Sequence, residues 1–158
     1  MTGFVATPPA PHSPPGATVA ADGWFPAIDV GAMRAGMRLR GETPHARLVE
    51  AIRGAIVTVL VQLSDWQIAR IAEGCTSLAM VKPGETIDGE HRLSLLFARA
   101  VRLYAAAELA AFARDSSATN DEVDRIDEES LVGPDMTARA LAAVRDILGT
   151  TRIDVELI

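Results

Sequence analysis

Apolar residues recur at three- and four-residue steps through Leu48, Ile52, Ala55, Ile56, Val59, Leu63 and Trp66, the spacing of one buried helix face. This predicts a helix from Pro44 to about Glu73, with Gly74 as its C-terminal cap. Val57–Val61 is β-branched enough to suggest a strand, but length and flanking periodicity favour helix. At 1.5 Å per residue the element is roughly 45 Å long, which is long for so small a domain. A break at Lys82-Pro83-Gly84 follows. Asp88-Gly89-Glu90 is then expected to cap a helix running to about Arg114. Leu93, Phe97, Val101, Tyr104 and Ala111 lie near one face of it, and Leu96, Ala100, Leu103 and Ala107 widen that face. Arg92, Arg99 and Arg102 form a thin polar edge. A helix apolar over most of its circumference is buried on several sides, and part of that burial is expected between subunits. Met136, Ala140, Val144 and Ile147 mark a last helix over about Pro134–Leu148, ended by Gly149.

The segments outside these helices differ in kind. Residues 1–22 hold Pro8, Pro9, Pro11, Pro14 and Pro15 among Ala, Ser, Thr and Gly. Proline removes donors and blocks helix and sheet, so an extended arm is expected, mobile in isolation or lying along a neighbouring subunit. Trp24-Phe25-Pro26 is an apolar anchor, and Asp29 suits the N-cap of a short helix over Val30–Arg40. Gly31 and Gly36 weaken that helix and Gly41 ends it. Thr43 as N-cap with Pro44 at the first helical position restarts the chain. Residues 115–133 form a polar, acidic connection. Arg152 to Ile158 alternates apolar and acidic residues, as a strand with one buried face does. Such a strand has no partner in a helical chain and is expected on another chain's sheet edge. The resulting fold class is all-α: a small helical bundle with a long central helix, an extended proline-rich N-terminal arm and a short C-terminal β-strand. Residues 1–22 are the arm, 23–149 the helical domain and 150–158 the terminal strand.

Composition narrows the function classes. The 158 residues fit one domain. With 49% hydrophobic but only 4% aromatic residues, the core must be built from Ala, Val, Leu and Ile, which suits closely packed helices. A net charge of −6 argues against tight, broad nucleic-acid binding through phosphate neutralisation. Lys82 is the only lysine beside many arginines, a bias that GC-rich coding explains better than interface chemistry. A lone Cys75 excludes an intramolecular disulfide and Cys-based zinc sites. No basic region followed by an apolar core opens the chain, and Arg53 and Gln62 bracket the most apolar run too closely for a membrane span. A soluble protein, intracellular when made, is expected.

No catalytic, cofactor or metal set emerges. His12, His45 and His91 share no ligand spacing with each other or with Cys75. His45 and His91 read as solvated or capping residues. There is no Gly-rich loop followed by Lys, and Asp121–Glu129 lacks the central Gly of a calcium loop. Cys75 lies after a helix C-terminus, without the nearby base or helix N-terminus of a reactive thiol. Nothing assembles a nucleophile, a base and an oxyanion donor.

One resemblance runs from about Trp24 to Ile158. The pattern is aromatic-Phe-Pro-x-Ile-Asp at Trp24–Asp29, Met-Arg-Leu at Met37–Leu39 and Ala-Arg-Leu-x-Glu-Ala-Ile at Ala46–Ile52. It continues as Ala-x-Gly-x-Thr-x-Leu-Ala at Ala72–Ala79 and Ile-Asp-Gly-Glu at Ile87–Glu90. In order and spacing it resembles the head completion/stabilisation protein family of tailed bacteriophages, the GPL type. The resemblance implies a small helical adaptor, without enzymatic activity or cofactor, at the head–tail connector of the virion. It implies a homo-oligomeric ring, commonly a dodecamer, beneath the portal protein once DNA is packaged. The ring retains the genome and offers a surface to the next neck or tail terminator protein. The chain departs from the pattern in its almost uncharged proline-rich arm and in Val132-Gly133-Pro134, expected to delay the last helix.

On this reading packaged DNA slides past an acidic inner surface without specific binding. No membrane is involved, and the protein resides in host cytoplasm during assembly. Candidate portal or subunit contacts are Trp24, Phe25, Pro26, Arg99, Arg102, Ile153, Val155, Leu157 and Ile158. The acidic charge and the terminal strand also fit a helical regulatory or neutralising protein-binding module, and an enzyme using His91 with Glu90 or Asp88 is the weakest reading.

Overall fold

The computed structural model describes residues 13–37, 43–117 and 132–150. The first element is β1 (Thr18–Val19), which pairs antiparallel with β2 (Ile28–Asp29) in the register Thr18↔Asp29 and Val19↔Ile28. Helix α1 (Val30–Gly36) follows, its N-cap Asp29 accepting the Ala32 N–H at 2.7 Å. Helix α2 (His45–Ala72) leads through a 3-10 turn (Leu78–Met80) to β3 (Thr86–Ile87) and β4 (Glu90–His91). Helices α3 (Arg92–Ser117) and α4 (Val132–Leu148) complete the described chain.

The all-α expectation is therefore wrong in part: two small antiparallel sheets sit among the helices. Each has a local cause. The chain doubles back around Trp24, bringing Thr18–Val19 of the supposed arm alongside Ile28–Asp29, so proline nearby did not prevent a strand. Asp88 and Gly89 both adopt left-handed backbone, at φ +53° and +79°. Two consecutive positive-φ residues make the tight two-residue turn whose twist suits a hairpin. Asp88-Gly89-Glu90 thus builds the β3–β4 hairpin rather than a helix cap, and α3 starts at Arg92.

Other boundaries shift for similar reasons. Pro44, at φ −58° and ψ 148°, is itself the N-cap of α2 and supplies no side-chain bond. Thr43, the expected cap, lies one residue further out. Helix α1 stops at Gly36 rather than at Arg40, with the Met37 N–H closing on the Met33 carbonyl at 3.0 Å. Helix α4 is not delayed and begins at Val132; Pro134 falls in its first turn, where no N–H is needed for the ladder. The polar connection (residues 118–131), the arm before Ser13 and the expected strand at Arg152–Ile158 lie outside the described residues.

The three long helices run up, down and up. Along α2 and α3, Arg47 lies over the Phe112 ring at 5.8 Å and Gln62 bonds Tyr104 at 3.0 Å, so the pair is antiparallel. Helix α4 packs antiparallel on α3, Pro134 and Thr137 beside Ala107 and Ala111, and Ala143 and Asp146 beside Leu96 and Arg99. The predicted α2 stripe is buried from Leu48 to Leu63, with Trp66 half-buried, and Ala140, Val144 and Ile147 of α4 are buried as expected.

Trp24 and Phe25 close one end of this bundle. Phe25 stacks on Phe97 of α3 at 4.7 Å, and Trp24 meets Trp66 of α2 edge-on at 6.0 Å. The Trp24 indole N–H donates to the Cys75 carbonyl at 3.0 Å, and the Trp24 carbonyl accepts the Leu78 N–H at 2.9 Å. Asp22 ties the turn together, accepting the N–H groups of Trp24 (3.0 Å) and Phe25 (3.3 Å) and the Gln67 amide (2.7 Å). Partial burial acts to raise the Asp22 carboxyl, but the bonds from Gln67, Trp24 and Phe25 outweigh it and hold it below the usual range. Phe25→Ala should therefore destabilise the isolated chain by about 3–5 kcal/mol, read as a lower urea midpoint in the absence of any partner. A depressed native pKa favours the fold above the unfolded value and is lost as pH falls through the native one. Asp22→Asn should accordingly flatten the acid limb of the stability curve.

Candidate interaction surface

Of the residues expected to meet a partner, the structure brings few together. Trp24 and Phe25 are 8% and 3% exposed and are spent in the chain's own core. Pro26 beside them is half-buried. Arg99 and Arg102 are exposed on α3. Arg102 lies over Gly36, its guanidinium 3.1 Å from where a Cβ would stand, which ties it to α1. Arg99 lines a shallow cleft with Arg139, Ala142 and Asp146 of α4. Ile153, Val155, Leu157 and Ile158 lie outside the described residues.

Among the described residues, an unpartnered apolar surface lies elsewhere, on the outer side of α2. Val57, Val61, Ile68 and Ile71 are 61%, 70%, 65% and 50% exposed. With Ser64 between them they step by four, three, four and three residues, which keeps them on one helix face opposite the buried stripe. The sequence carried a signal for this face: α2 is apolar on two sides, and the β-branched run Val57–Val61 holds more apolar residues than one stripe needs.

A groove of about 700 Å³ opens beside that face, between α2 and α4 over α3. Ala55 and Thr58 form one wall, Thr137 and Leu141 the other, and Ala107 and Ala111 the floor. Glu108 is the one carboxylate among its lining residues. Its carboxylate lies 3.0 Å from where a Cβ of Gly54 would stand, so the missing side chain makes its room. Burial first, and the nearby Glu50 charge second, push the Glu108 carboxyl above its usual range.

Nothing among the described residues assembles catalytic or metal-binding chemistry. The His91 ring spans the Val81 carbonyl (Nε2, 2.9 Å) and the Ser94 hydroxyl (Nδ1, 3.1 Å), pinning the hairpin to α3 rather than facing a substrate. This bonded, half-buried setting replaces the solvated or capping role expected for it. No group of three His, Cys, Asp or Glu side chains is placed to hold a metal ion, and no helix is long and apolar enough to cross a membrane, among the described residues.

Comparison with known proteins bears on these surfaces. The family profile described as phage head completion protein (GPL) matches residues 19–158. The head completion/stabilization protein of Escherichia phage P2 is 38% identical over 107 residues, covering 66% of this chain and 63% of that protein. The match thus spans under two thirds of the relative's length. No solved structure matches the chain.

The raised Glu108 carboxyl gives a test of the groove's electrostatics. A group whose native pKa lies above its unfolded value favours the fold at low pH and loses that contribution as pH rises through the native value. Glu108→Gln should therefore raise the melting temperature at neutral pH, with the gain vanishing as pH falls below the ordinary carboxylate range.

Proposed function

The chain belongs to the GPL family of phage head completion proteins, and from that premise we propose that it forms a ring beneath the portal. There it completes and stabilises the DNA-filled head and presents a docking surface to neck or tail terminator proteins. The observation that carries this reading is the pairing of a large unpartnered apolar surface on α2 with the lack of any catalytic constellation among the described residues. A side of a helix left that apolar marks a protein contact rather than a reaction site.

Six carboxylates stand against one arginine between Asp121 and Glu129. An acidic segment of this kind, where it faces the channel, would repel phosphate and let the duplex pass without sticking. The alternating Ile153, Val155, Leu157 and Ile158 segment adds a strand to a sheet edge of the portal or of a neighbouring subunit, using main-chain hydrogen bonds for attachment.

DNA-filled heads made without this protein should leak genome and regain stability when the purified chain is added. Unchanged genome retention with and without the chain contradicts the proposal, as does a stable one-to-one complex with an unrelated small protein in place of portal binding. Deleting Ile153–Ile158 should abolish docking on purified portal while leaving the helical circular-dichroism signal intact; undiminished docking sinks the strand's assigned role.

A further inference from the structure

We propose that the outer face of α2 in one copy packs, as a fourth helix, into the α2–α3–α4 groove of a second copy. This rests on the reading of the chain as a ring subunit and assigns the surfaces that join one subunit to the next.

The spacing points to a helical occupant. Val57, Val61, Ser64, Ile68 and Ile71 repeat on average every 3.5 residues, the period that keeps a seam facing another helix. A strand or an irregular segment does not require it. Covering the seam and the groove wall strands neither the Ser64 nor the Thr58 hydroxyl proton. Ser64 donates to the Val61 carbonyl at 3.1 Å and Thr58 to the Gly54 carbonyl at 3.0 Å. Polar groups satisfied inside their own helix are buried at little cost.

The groove has the matching shape. Three antiparallel helices leave the α2–α4 side open, where a four-helix bundle holds its fourth member. Ala55, Ala107, Ala111 and Ala138 line it, and small residues let a helix approach to the 8–10 Å axis separation of ordinary packing. A strand in the same place faces helix walls whose backbone groups are already paired, so its own N–H and C=O groups go unsatisfied.

Seam and groove lie on the same chain, which selects a second copy as the occupant. The four exposed side chains present on the order of 400 Å² of apolar surface, within the range of the largest patch on an ordinary monomer. That is about half of the ~800 Å² per partner in a standard interface, so the seam suits copies already held side by side on a portal. The groove offers the counterpart on the facing copy. Val57 and Thr58, adjacent in sequence, point about 100° apart around the helix. One copy can therefore present its seam to one neighbour and its groove to another. A head-to-tail contact of this kind closes into a ring where the rotation allows. Antiparallel pairing of two α2 seams about Ser64 instead leaves both grooves empty and sets the two Asp65 carboxylates on the same flank.

Cysteine cross-linking on the full chain tests this. Cys75, the single cysteine in the chain, is first changed to Ser. Proteins carrying Ile68→Cys or Ala138→Cys, both at exposed positions, are then mixed on purified portal and mildly oxidised. The mixture should give a covalent dimer on the order of tenfold more readily than either protein alone, because docking raises the local thiol concentration. Self-linking of Ile68→Cys as efficient as mixed linking supports the α2–α2 pair and overturns the proposal. Linking of Ala138→Cys to Ile153→Cys within one chain, in place of the mixed link, gives the groove to the terminal segment and also overturns it.

Val61→Glu with Ile68→Glu should keep the melting temperature of the free chain but lose assembly on portal. If the doubly substituted chain assembles undiminished, the seam is not the joint while the head-completion reading stands. If the unsubstituted chain adds no copies to portal, that reading falls first.

Discussion

The contact on which the rest of the fold depends is the aromatic clamp formed by Trp24 and Phe25. Three separate parts of the chain meet there: the end of α2 through Trp66 and Gln67, the turn at Cys75–Leu78, and α3 through Phe97. Aromatic rings bury more surface per residue than aliphatic ones, and this chain has few of them. Most of its aromatic content is concentrated at one end of the bundle. The clamp also fixes β1–β2 and the start of α1, because the loop carrying Trp24 joins the two strands.

Holding α2 at that end determines what the rest of the helix can do. Its inner face, from Leu48 to Leu63, is committed to α3, and its length carries the outer face well clear of the other elements. The same economy of side-chain size recurs between the helices. Alanines at positions 55, 107, 111 and 138 keep α3 close to its neighbours yet leave the α2–α4 side open as a groove. An apolar convex face and an alanine-lined concave one on a single chain are complementary in kind, and an assembling subunit needs both.

Much of the bundle could be read from spacing alone. The three- and four-residue steps marked α2, α3 and α4, and Asp29 was recognisable as an N-cap because its side chain has one obvious use there. The small sheets were not foreseen, since a strand of two residues has no periodicity to detect. The Asp88-Gly89 turn was legible in principle, flanked by Thr86-Ile87 and Glu90-His91, but the same residues also suit a helix start. Pro44 misled by one position because ψ, unlike φ, is not fixed by its ring.

Surface assignments were the least legible. Trp24 and Phe25 look like an exposed anchor in a sequence, yet whether an aromatic pair turns inward depends on Phe97 and Trp66, distant in the chain. The outer seam of α2 was hidden in the opposite way, since an apolar residue on a second helix face reads as ordinary core until the packing is known. A symmetric reconstruction of the neck of DNA-filled particles would show where each copy of the chain sits. The expected map holds a closed ring of this chain under the portal, with the α2 helix of each copy lying across the α2–α4 groove of the next. A neck lacking the chain, or a ring whose copies leave both the seam and the groove open to solvent, contradicts it.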